Sequence, residues 1–90
     1  MCRETVLFSS EEHTDRARVC AFLRELADRI ESNSVVLKQG DAATEVDIPD
    51  DLVLEIKLEE EEKRSGIKHS LEVELEWQPG GSGGGKVSLG

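Results

Sequence analysis

Cys2, His13, Cys20 and His69 are the side chains of the right types to hold zinc or to form a thiolate–imidazole pair. Their spacing suits neither chemistry. Structural zinc sites take ligands in close pairs, as in C-x2-C or H-x3-H, and no such pair occurs. A Cys–His nucleophile needs a third group to orient its base and donors for an oxyanion, and no motif supplies them. Cys20 reads instead as a small apolar residue flanking a helix stripe beside Ala27. No catalytic residue, no cofactor-binding residue and no metal ligand is therefore assigned, and the chain is expected not to be an enzyme.

The second group is the run Glu59, Glu60, Glu61, Glu62. A calcium loop sets its oxygen ligands at alternating positions around a glycine turn, a pattern absent here. The run reads as solvated charge, or as a surface for a basic partner. Trp77 is the single tryptophan. Its ring either seals the edge of an aliphatic core, with the indole N–H reaching water or a carbonyl, or anchors a partner or a second copy. Trp77 with Glu59, Glu60, Glu61 and Glu62 are the candidate partner contacts. His69 falls near Glu60 or Glu62, whose carboxylates favour its charged form. His13 reads as surface.

The element that must position these groups is Ile67 to Gln78. Ile67, His69, Leu71, Val73, Leu75 and Trp77 alternate with Lys68, Ser70, Glu72, Glu74, Glu76 and Gln78. Side chains alternate across a strand, so one face is apolar and the other charged, whereas a helix would bury glutamates with leucines. Leu52, Leu54, Ile56 and Leu58 alternate likewise with Val53, Glu55, Lys57 and Glu59. Directly paired residues of an antiparallel hairpin share a face. Apolar positions are even before the turn and odd after it, so paired numbers must sum to an odd constant. A Ser65-Gly66 turn gives 131 and sets Leu58 opposite Val73; a longer turn, with a sum such as 127, satisfies the rule too. Upstream, Gly40-Asp41 is a two-residue turn signal that sets Val35 opposite Val46. Pro49 then removes a ladder donor, and Asp50-Asp51 marks a corner.

One helix precedes these strands. Thr14 is the expected N-cap and Asp15 the first-turn acid. Val19, Phe22, Leu23, Leu26 and Ile30 then form a stripe at helical spacing, and Ser32-Asn33-Ser34 ends it. Glu4 to Phe8 is a candidate first strand. One amphipathic helix and one single-faced meander have an economical solution, the helix laid across the sheet. The expected class is α+β, a two-layer sandwich with one helix across one face of a mainly antiparallel four- to five-stranded meander. The domain covers residues 1–79, and a flexible glycine-rich tail covers 80–90.

Composition bounds the function. Ninety residues with two Phe and one Trp allow only a thin aliphatic core. A formal net charge of −9 repels phosphates, which argues against nucleic acid and against an anionic membrane surface. No apolar run approaches the roughly 20 residues of a bilayer span, and the first residues lack the apolar stretch of a signal peptide. The expected compartment is the cytoplasm, where salt screens self-repulsion and thiols stay reduced.

The helix segment AFLRELADRIES and the closing SLEVELEWQPG resemble the amphi-Trp domain, a small archaeal and bacterial family named for an amphipathic strand ending in tryptophan. Trp77 stands in the name-giving place, and the resemblance covers roughly residues 4–79. The family has no assigned activity, so the resemblance implies a fold and carries over no catalytic residue. The expected function is a non-enzymatic interaction or structural module able to self-associate, its partner a protein or a second copy. The alternatives are an acidic binder of basic proteins and, less in keeping with the spacing, a Cys/His metal or catalytic protein.

Overall fold

The computed structural model describes residues 3–78 and Leu89. Cys2, Pro79 and the expected glycine-rich tail, Leu89 apart, lie outside the described residues. The fold is α+β, one helix followed by four antiparallel strands. The chain divides into two compact units, Met1–Ile48 and Pro49–Gly90.

Helix α1 spans Arg16–Glu31. Its cap is Asp15, one residue later than Thr14, and the Asp15 carboxylate accepts the Arg18 N–H at 2.8 Å. The physical reason lies in the first turn, which carries Arg16 and Arg18 against the positive end of the helix dipole. A carboxylate at the cap offsets that mismatch better than a hydroxyl. Arg18 is further stabilised by Glu12 at 3.4 Å and lies 5.6 Å from the centre of the Phe22 ring. At the other end Asn33 adopts a left-handed φ of 56°, while its N–H bonds to the Ile30 carbonyl and the Ser34 N–H to the Arg29 carbonyl. This paired arrangement closes the helix in place of glycine. We expect Asp15→Ala to cost about 1 kcal/mol, and Asp15→Asn, which keeps the hydrogen bond and loses the charge, an intermediate amount, in urea unfolding followed by circular dichroism. Equal losses would show that charge, not the hydrogen bond, carries the cap.

β1 (Val35–Gln39) and β2 (Ala42–Val46) form a hairpin around Gly40-Asp41, with Val35 opposite Val46 as expected. Gly40 has φ 58°, the left-handed value such a two-residue turn uses. α1 meets β1 in this unit. The inward parity is plain: Val35 is 5% exposed, and Leu37, Thr44 and Val46 are half-buried, as are Leu26 and Ile30 of α1. Val35 is the one buried apolar residue among the described residues.

β3 (Val53–Lys63) and β4 (Gly66–Glu76) form the second hairpin. The four strands stand as two two-stranded sheets, β1–β2 and β3–β4, rather than one continuous meander. The ladder stops after Val46, where Pro49 lacks a donor and Asp50 and Asp51 follow. The expected first strand at Glu4–Phe8 does not form. Val6 and Leu7 are exposed there, and three apolar residues without a ladder partner bury too little to fix the backbone.

Candidate functional site

The candidate partner contacts sit on the β3–β4 hairpin, whose ladder is eleven pairs long from Val53↔Glu76 to Lys63↔Gly66. Paired numbers sum to 129: the turn residues are Arg64 and Ser65, and Leu58 faces Leu71 rather than Val73. A turn centred on Ser65-Gly66 would need positive φ at Ser65. Instead Gly66 takes a φ of 131° at the first strand position, and no described residue besides Asn33, Gly40 and Gly66 has positive φ. The odd sum keeps the parity, so the hairpin has two chemically distinct faces.

The apolar face carries the cross-strand pairs Leu54–Leu75, Ile56–Val73 and Leu58–Leu71. Toward the turn it continues as Glu60–His69 and Glu62–Ile67. Leu54, Ile56, Leu58, Ile67, Leu71 and Val73 are 55 to 75% exposed. Trp77 follows the end of β4 and keeps 38% of its surface exposed, so its ring is neither fully sealed nor fully displayed.

The other face is ionic. It carries Glu55, Lys57, Glu59 and Glu61 on β3 and Lys68, Glu72, Glu74 and Glu76 on β4. Lys57 bridges Glu59 at 2.7 Å and Glu72 at 3.6 Å, and Lys63 reaches Glu61 at 3.4 Å. A hydrogen bond and the charge of Glu59, with Glu72 behind it, raise the Lys57 pKa. That contribution is full at neutral pH and is lost only as pH rises through the raised value.

The glutamate run is part of β3 and does not make one surface. Glu59 and Glu61 point with the ionic face, Glu60 and Glu62 with the apolar one. His69 lies opposite Glu60, its Nδ1 3.6 Å from the Glu60 carboxylate, and both side chains are well exposed. His13 is exposed ahead of α1, and Cys20 is half-buried on that helix.

A grouping that was not singled out from the sequence is Glu55, Glu74 and Glu76, whose carboxylate oxygens lie within 4.8 Å of one another. The alternation places all three on one face, but only the register sets Glu55 directly opposite Glu74. Like charges directly opposed across a ladder are destabilising. A hydrogen bond with Glu76 and that group's charge raise the Glu74 pKa. The folded state therefore holds the Glu74 proton more tightly than the unfolded chain does. Stability is gained as pH falls through the raised value and lost as it rises again. In melting curves from neutral to mildly acidic pH, wild type should gain on Glu74→Gln as pH falls, and salt should narrow the gap at neutral pH. Parallel curves at all pH values would contradict it.

No helix of the described residues is long and apolar enough to cross a membrane. The family model described as the Amphi-Trp domain matches residues 1–90. Searches of curated proteins and of solved structures found no match.

Proposed function

The chain belongs to the amphi-Trp domain family, and from that premise we propose a non-enzymatic interaction module that works through its β3–β4 hairpin. The observation that carries this reading is the exposed apolar face of Leu54, Ile56, Leu58, Leu71 and Val73, displayed opposite an ionic face. Exposed contiguous apolar patches of this kind mark interaction surfaces. Trp77, 38% exposed just past the end of β4, has the chemistry of a binding anchor.

The expected partners are proteins, including other copies of the chain. Nucleic acid and anionic membranes do not fit a net charge of −9. The same excess of carboxylates suits the cytoplasm, where salt screens their repulsion. The experiment is sedimentation of the full chain over a wide concentration range, paired with a pull-down from lysate. Self-association or specific capture supports the module; a monomer at every concentration that captures nothing contradicts it.

The acidic cluster of Glu55, Glu74 and Glu76 favours a second reading, an acidic surface for basic proteins. Binding through it weakens steeply with salt, because exposed charges are screened over about 8 Å at physiological ionic strength. Salt-independent capture would remove this reading.

A further inference from the structure

We infer that the apolar face of the β3–β4 hairpin is covered by the same face of a second copy, packed antiparallel about a two-fold axis so that each charged hairpin tip lies over the Trp77 end of the other. The inference rests on the interaction-module reading and specifies its partner.

A two-stranded hairpin is marginally stable in water, and its face needs a second layer. β3 and β4 have no third strand beside them among the described residues. A second copy supplies a layer of matching length, since each strand has eleven residues and spans roughly 36 Å.

The areas also match. Taking roughly 100 Å² of apolar surface for a fully exposed aliphatic side chain, the six aliphatic residues and Trp77 offer about 450 Å² per copy. Two faces together withdraw about 900 Å² of apolar surface from water. Homodimer interfaces are about 65% apolar, which implies about 1,400 Å² buried in all. That lies inside the range of roughly 1,200–2,000 Å² for specific, stable interfaces.

Charge selects the orientation. On the apolar face the ionisable groups, Glu60, Glu62 and His69, are confined to the turn end. Packing the hairpins tip to tip would bring four carboxylates of the two copies together. The antiparallel arrangement separates them and sets each pair beside an indole whose N–H can donate to a carboxylate. The ionic faces, with Glu55, Lys57, Glu72, Glu74 and Glu76, turn outward to water in both copies.

Sedimentation of the full chain tests the dimer, with Leu58→Glu expected to weaken association at least about 100-fold by placing a carboxylate against the apolar Leu54–Leu75 pair of the second copy. Glu72→Gln, on the opposite face, should leave association unchanged. Because Leu58→Glu could instead unfold the hairpin, a second measurement uses Glu62→Cys in a Cys2→Ser, Cys20→Ser background, spin-labelled for inter-copy distances. Antiparallel packing predicts roughly 40 Å between the labels, against about 10 Å for tip-to-tip packing. Dimers with the long distance support the inference, and dimers with the short one overturn it. A monomer at every concentration overturns the inference alone. A monomer whose pull-down is unchanged by Leu58→Glu overturns the module reading as well.

Discussion

Val35→Asp should unfold the Met1–Ile48 unit or lower its stability by several kcal/mol, while Val36→Asp should change it by less than about 0.5 kcal/mol. The two residues are neighbours in β1 with opposite parity: Val35 is 5% exposed and Val36 42%. An aspartate at position 35 places a carboxylate opposite Val46, on the inward face it shares with half-buried Leu37 and Thr44. Such a group either stays charged at a large desolvation cost or takes up a proton and raises its own pKa. Val35→Ala removes only methyl groups and should cost about 2 kcal/mol. Far-UV circular dichroism during urea unfolding of the full chain reads all three variants. Equal tolerance at positions 35 and 36 would mean that β1 has no inward face, and the packing described for this unit would be wrong.

The second large effect belongs to Gly66. Its φ of 131° is a backbone conformation that L side chains rarely adopt, and Gly66→Val should cost about 1–3 kcal/mol in hairpin stability. The loss is not a clash, because a β-carbon there meets no atom within 4 Å. It is conformational strain. Gly40 makes the comparison: its φ of 58° is the left-handed region that asparagine tolerates, and space is equally open around it. Gly40→Asn should therefore cost only a few tenths of a kcal/mol, whereas Gly66→Asn should remain costly. Thermal melts of the paired variants distinguish the two glycines. If asparagine is tolerated equally at both, the turn at Arg64-Ser65 relaxes toward another register and the sum of 129 is not held by Gly66.

Alternation made most of the architecture legible. The odd positions from Ile67 to Trp77 and the even positions from Leu52 to Leu58 announce strands, and the structure has β3 and β4 there. The Gly40-Asp41 signal sets the first hairpin because its glycine sits where the turn needs a left-handed residue. The second hairpin was harder for the same reason. Its glycine falls just after the turn, so the observed 129 in place of the expected 131 depended on where the backbone strain would be placed, and parity is blind to that. The cap at Asp15 depended on Arg16 and Arg18, which composition at a single position does not reveal. Glu4–Phe8 had strand-like residues but no partner strand, and ladder formation needs both.

The candidate site was legible only in its chemistry by type. Alternation separates Glu59 and Glu61 from Glu60 and Glu62, yet a run of identical residues invites a reading as one patch. The meeting of Glu55, Glu74 and Glu76 required the cross-strand register as well. The family resemblance carried by SLEVELEWQPG is matched by the whole-chain family model.

The outer edges of β3 and β4 have no strand beside them among the described residues, so their backbone groups point outward unpaired. An edge of that kind can template a ribbon in which each added hairpin contributes two strands about 4.8 Å apart. In such a ribbon the carboxylates of the ionic face from Glu55 to Glu76 would be brought close to those of the next hairpin, and at neutral pH their like charge opposes the pairing.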